Sequence, residues 1–263
     1  MNVKRILTGI AMTTAVALSA LAAKADVLDD IKKEGVIQIG VPQDVPPFGM
    51  VGPDGTRVGY DVEMAELIGK GLGVTVELVP VAGSNRVPFI ESGRVALVIS
   101  SLGKNPEREK VIDFTDAYAP FFNGVFGPPD LKVTKAEELS QVKVGVTKGT
   151  IEDLELSKIA PADADIRRYD GSAAAYSAYF AGQVQAIATG NVVAASLMET
   201  DQRKKMEVKF VINKSPCFIG LKKGEPALLE AVNKIIKSAK ADGSLNAISQ
   251  KWMHADLPQD LRN

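Results

Sequence analysis

Between residues 36 and 100 the chain alternates short apolar runs with segments of helical period, and this rhythm restricts the fold more than any other feature. Val36 to Val41 reads as a buried strand, followed by a proline-rich loop from Pro42 to Pro53. From Asp61 to Leu72 the apolar residues Met64, Ala65, Ile68 and Leu72 fall near helical spacing, and Gly71 and Gly73 supply a stop. Val74, Val76 and Leu78 then alternate with Thr75 and Glu77, a strand pattern. Arg86 to Glu91 predicts a short helix ended by Gly93, and Val95 to Ser100 is a continuous apolar strand of the kind buried in parallel sheets. Such alternation predicts βαβ units with right-handed crossovers rather than a sandwich or a bundle.

The pattern then restarts. Val142 to Val146 reads as a strand, Gly149-Thr150 as a turn, and Ile151 to Lys158 as a helix. Ser172 to Ala181 predicts a further helix and Ala186-Ile187-Ala188 a core strand, so a second lobe is the simplest account. Val208 to Val211 and Phe218 to Leu221 read as strands. Pro226 to Ala241 is a long amphipathic helix, with Leu228, Leu229, Val232, Ile235, Ile236 and Ala239 turned inward and Gly243 as its stop. No repeat or flexible linker interrupts the chain, which predicts lobes joined by crossing strands.

Lys4 and Arg5, the mostly apolar run Ile6 to Ala23, and the small residues of Ala23-Lys24-Ala25 predict a secretory signal peptide spanning 1–25, hence a periplasmic destination. Its removal takes three bases and no acid, leaving 28 basic residues against 32 acidic. A net charge of that sign argues against nucleic acid as a partner. Cys217 is the lone cysteine, so no internal disulfide is possible, and it reads as a small buried apolar residue. The one histidine, His254, lies near the C-terminus beside Trp252 and Met253. Zinc sites, Ser-His-Asp triads and Cys-His dyads each need histidine among other motifs, so no metal, cofactor or catalytic residue is predicted. Gly145-Val146-Thr147-Lys148-Gly149-Thr150 lacks P-loop spacing, and Gly69, Gly71 and Gly73 follow a helix rather than a strand.

The segment Gly59-Tyr60-Asp61-Val62-Glu63-Met64-Ala65 resembles the signature of the bacterial extracellular solute-binding proteins of family 3, the polar amino-acid receptors of ABC importers. Further segments fall in the family's order: Asn85-Arg86-Val87-Pro88, Asn105-Pro106-Glu107-Arg108, Asp113 to Tyr118, Lys143 to Thr150, Asp242-Gly243-Ser244-Leu245 and Lys251-Trp252. The resemblance implies the two-lobed type II periplasmic binding protein fold, α/β, each lobe a mostly parallel sheet flanked by helices, with a hinge of crossing strands. Lobe one is then discontinuous, 26–117 plus 217–263, and lobe two is 118–216. It also implies a clamp that closes on a polar amino acid or amino-acid-like carboxylate and delivers it, as a monomer, to the membrane permease of an importer.

By the same resemblance Arg108 grips the ligand's α-carboxylate, a role that suits the two parallel donors of a guanidinium. Without the surrounding pattern Arg108 reads as a helix-start arginine paired with Glu107 or Glu109. Ser101 and the backbone N–H of Gly103 are supporting donors, Phe48 lines the cleft, and Val45 stands where relatives often carry a stacking aromatic. On lobe two Thr147 and the Gly149-Thr150 turn open a helix whose N-terminus suits an anion. Arg86 has two readings, a second cation for a ligand carboxylate or a lobe-one salt bridge to Asp44 or Glu91. The departure from the family lies at Thr189-Gly190-Asn191, where Gly190 replaces the aspartate that meets the ligand's ammonium. Asn191, Thr189, Gln185 or Glu152 then takes over, or the ligand nitrogen is substituted, unless the register slips and Asn191 itself stands at the site. A periplasmic enzyme resembling cyclohexadienyl dehydratase is the alternative, with Glu152 or Asp153 as its acid.

Overall fold

The computed structural model describes residues 26–201 and 205–262; the predicted signal peptide lies outside them. Helix α1 (Val27–Glu34) leads into β1 (Val36–Pro42), a short β2 (Met50–Val51) and β3 (Arg57–Val58) hairpin, and α2 (Tyr60–Leu72). There follow β4 (Thr75–Val81), α3 (Arg86–Glu91), β5 (Leu97–Leu102), a single turn α4 (Pro106–Glu109) and β6 (Ile112–Ala119). The chain then crosses into β7 (Asn123–Gly127), β8 (Lys143–Thr147), α5 (Ile151–Ile159), β9 (Asp165–Tyr169), α6 (Ser172–Phe180), β10 (Ala186–Gly190), α7 (Asn191–Thr200) and β11 (Glu207–Asn213). It returns through β12 (Cys217–Lys222) and ends in α8 (Pro226–Ala241), α9 (Ser244–Met253) and α10 (Gln259–Arg262).

Two five-stranded sheets result, ordered β4-β1-β5-β12-β6 and β11-β7-β10-β8-β9. In the first, β1 pairs in parallel with β4 and β5, and only β12, antiparallel to both β5 and β6, runs the other way. The second mirrors this: β8 is parallel to β9 and β10, and β7 alone is reversed, against both β10 and β11. The reversed strand in each sheet is the one that enters from the other lobe. Residues 120–122 and 214–216 are therefore the two crossings.

Strand burial follows the pattern that the sequence announces. All of β5 is buried, as a central strand covered on both faces requires. The apolar face of α8 buries Leu228, Val232, Ile236 and Ala239, while Leu229 and Ile235 are only partly covered. Cys217 is fully buried at the start of β12, and His254 is an exposed residue closing α9 in the left-handed region.

Candidate functional site

A small cavity of about 20 Å³ lies in the cleft between the lobes. Val45, Arg86 and Ser101 contribute the first lobe's wall, and Thr147, Thr150, Ile151, Glu152, Ser172, Tyr176, Thr189 and Gly190 much of the second. Phe121 and Asn123, from the first crossing and the start of β7, complete it. Most of these side chains are hydroxyls, amides or charges, so a solute here meets directional partners rather than an apolar slot.

Arg86 opens α3 and is 5% exposed. Among the described residues its side chain makes one hydrogen bond, from Nε to Ser100 Oγ at 3.1 Å. No salt bridge to Asp44 or Glu91 forms; the Asp44 carboxylate instead accepts from the Ala173 N–H at 2.7 Å. The terminal nitrogens of Arg86 are left to the cavity.

Ser101 sits at the end of β5 with φ of 39°, a left-handed conformation that a residue with a Cβ rarely adopts. Asp61 holds it there: Oδ2 accepts from the Ser101 N–H at 2.7 Å, and Oδ1 accepts from the Tyr118 hydroxyl at 2.6 Å. Burial pushes the Asp61 carboxyl up to about 7, against the opposing pull of the Tyr118 hydroxyl, the Ser101 N–H and Arg86. On the facing lobe Thr147 Oγ1 donates to Ser172 Oγ at 3.2 Å, and Thr150 Oγ1 donates to the Thr147 carbonyl at 2.9 Å. Thr150 is also the N-cap of α5, its hydroxyl accepting from the Asp153 N–H.

Arg108 lies elsewhere. Its guanidinium donates to the Gly103 carbonyl at 2.8 Å and, across the cleft, to the Gly149 carbonyl at 3.0 Å, and it is not on the cavity wall. Burial and the like charge of Arg86 bring it down to about 10, so it stays protonated at neutral pH. Here Arg108 is a clasp between lobes, joined along the same seam by Asn105 Nδ2 to Glu155 Oε1 at 2.9 Å and Lys158 to Glu107 at 3.1 Å.

Four other candidates are also set back from the cavity. Phe48 is fully buried in the lobe-one core and meets Phe121 edge-on at 5.6 Å between ring centroids; Phe121 is the ring that lines the cavity. Gly103 offers its carbonyl to Arg108, and a Cβ there would stand 2.8 Å from Ile151. At Gly149 the N–H, expected to face an anion, donates instead to Asp153 Oδ2 at 3.0 Å, because that acid folds back on the turn. Asn191 Oδ1 accepts from the Phe122 N–H at 2.9 Å, which ties α7 to the crossing. Gln185 likewise accepts from the Lys143 N–H, leaving Thr189 and Glu152 as the proposed replacements for the missing aspartate that reach the cavity.

Gly190 does lie on the wall, and the space before it is taken. A Cβ at this position would come within 1.8 Å of Phe121 Cζ, so a side chain and the ring cannot coexist as placed. Phe121, Asn123, Ser172, Tyr176 and Glu152 enter the wall through crossings and sheet register, which local sequence patterns do not carry. Of these the sequence singles out only Glu152, as a replacement for the missing aspartate and as the acid of the dehydratase alternative.

Two lobes, two crossings and a polar cavity between them define a clamp that encloses a small solute, the type II periplasmic binding protein fold. The chain belongs to the bacterial extracellular solute-binding proteins, family 3, whose model matches residues 37–255. It is 28% identical over 260 residues to the L-cystine-binding protein TcyJ of Escherichia coli K12, covering 97% of each chain. It is 27% identical over 238 residues to the glutamine-binding protein GlnH of Bacillus subtilis, covering 89% of this chain and 86% of the other. Among solved structures, the cysteine-binding protein of Campylobacter jejuni matches with a TM-score of 0.82 at 26% identity, over 90% of this chain and 96% of that one.

Proposed function

We propose that this chain is the solute-binding component of an ABC importer, working as an exported monomer that closes on one small amino-acid-like carboxylate. The observation that carries the reading is Arg86: a buried guanidinium on a polar cavity between the lobes, with its terminal nitrogens free of acceptors among the described residues. Leaving a buried charge without a partner costs about 3 to 5 kcal/mol, so the site favours a carboxylate beside Arg86. Ser101 from the same lobe and the Thr147 and Thr150 hydroxyls from the facing lobe supply further hydrogen bonds, so one ligand engages both lobes.

Contacts made to both lobes exist only when the clamp is shut, and a ligand shifts the equilibrium by that difference in affinity. Arg108, through the Gly149 carbonyl, then stabilises the closed shape that a permease reads, without touching the solute. The related proteins are named for binding cystine, glutamine and cysteine, which favours capture over the dehydratase reading.

A thermal-shift screen of the purified protein against the standard L-amino acids and L-cystine tests the proposal. A ligand at a hundredfold over its Kd adds about 2.7 kcal/mol of stability, so at least one compound should raise Tm by several degrees. Arg86→Ala should then weaken that compound tenfold or more, on the order of 2 to 5 kcal/mol. No shift with any amino acid would overturn the reading.

A further inference from the structure

Among the described residues Arg86 is the one base on the cavity wall, and Glu152 is the one acid. Glu152 lies in the first turn of α5, 7% exposed, and makes no ion pair among the described residues. Burial raises its affinity for a proton; its own backbone N–H, the Thr150 hydroxyl and the fields of Arg86 and Arg108 favour the carboxylate. An acid at this point in a helix ordinarily serves as a cap. That work is already done twice, by the Thr150 hydroxyl accepting from the Asp153 N–H and by Asp153 accepting from Gly149.

A second observation comes from the opposite side of the wall. Asn123, 2% exposed, is paired with Gly190 in the β7–β10 register, and its Nδ2 is buried with no acceptor among the described residues. An orphaned amide donor on a cavity wall calls for an oxygen from whatever fills the cavity. Phe121 meanwhile occupies the space in front of Gly190, and β10 carries no acidic residue.

Resting on the solute-binding reading, we propose that Glu152 is the counter-ion for a cationic nitrogen of the ligand and that Asn123 Nδ2 donates to a ligand oxygen, making the cargo a zwitterion. Its carboxylate faces Arg86 on lobe one and its ammonium faces Glu152 on lobe two. The ligand's own dipole therefore spans the cleft, and each half of the charge pair is satisfied only when the lobes meet.

The test pairs the tightest-binding amino acid with its des-amino carboxylic acid, which keeps every oxygen and lacks the nitrogen. By calorimetry, wild type should prefer the amino acid by about tenfold or more, and Glu152→Gln, nearly isosteric, should erase most of that preference while sparing the des-amino acid. Glu152→Asp should restore part of it, and Asn123→Ala should weaken both compounds several-fold; thermal melts establish that each variant is folded. Equal preference in wild type and Glu152→Gln overturns the inference while leaving solute binding intact. If wild type binds no amino acid at all, the functional reading and this inference fall together.

Discussion

At the scale of single residues, Gly190 shows how steric and chemical requirements trade places. The sequence marks it as the point where a family acid is missing, and the structure supplies a reason that no local pattern contains: the Phe121 ring, itself braced edge-on by Phe48, fills that space. Gly190→Ala should therefore destabilise the fold by about 1 to 3 kcal/mol, the ordinary cost of overpacking. Removing the ring should relieve it. In a double-mutant cycle followed by urea unfolding, Gly190→Ala measured in a Phe121→Ala background should cost less than in wild type, with a coupling of about 0.5 kcal/mol or more. Strict additivity would mean that the ring is not what keeps this position a glycine.

Among the elements, α6 has an N-terminus that depends on the other lobe. Its own N-cap, Gly171, has no side chain to offer, and the Ala173 N–H donates instead to Asp44 of lobe one. A cap supplied across the cleft exists only in the closed state, so it tightens ligand binding without contacting ligand. Asp44→Ala should weaken binding by about 0.5 to 2 kcal/mol, roughly 2- to 30-fold, whereas a cap within one lobe would change stability and leave affinity alone. Calorimetry and urea melts on the same variant separate the two. Element identity itself was largely legible: α8 begins at Pro226, a proline suited to the first helical position, and ends at Ala241, shortly before Gly243. The strand β7, Asn123-Gly124-Val125-Phe126-Gly127, was not. Its two glycines break any alternation, and its burial comes from lying between β10 and β11. Because Asn123 takes its place on the cavity wall from that pairing, the part of the site built on the crossings was illegible for the same reason. Arg86, Ser101, Thr147 and Thr150, carried by short motifs, could be named in advance.

For the whole molecule, the informative group is Asp61, because it joins the fold's stability to the shape of the cleft. It is fully buried in lobe one, receives the Tyr118 hydroxyl from the strand that leads to the first crossing, and pins Ser101 on the cavity wall. Its carboxyl is pushed up to about 7 from an ordinary 3.8. A carboxyl with a raised pKa binds its proton more tightly folded than unfolded, so its favourable contribution is complete below about 4 and is lost as pH climbs through about 7. At 1.36 kcal/mol per unit, that loss amounts to roughly 4 kcal/mol. Asp61→Asn removes the titration, while its amide still offers an oxygen to Ser101 and a donor to Tyr118. Urea unfolding of both proteins between pH 4 and 8 isolates the effect: wild-type stability minus that of the variant should fall with rising pH up to about 7 and then level. Each titrating proton contributes at most about 1.4 kcal/mol per pH unit to that slope. A flat difference would show that the Tyr118 and Ser101 hydrogen bonds outweigh burial and keep Asp61 ionised throughout. Ser101 would then owe its left-handed backbone to a permanent charge rather than to a shared proton.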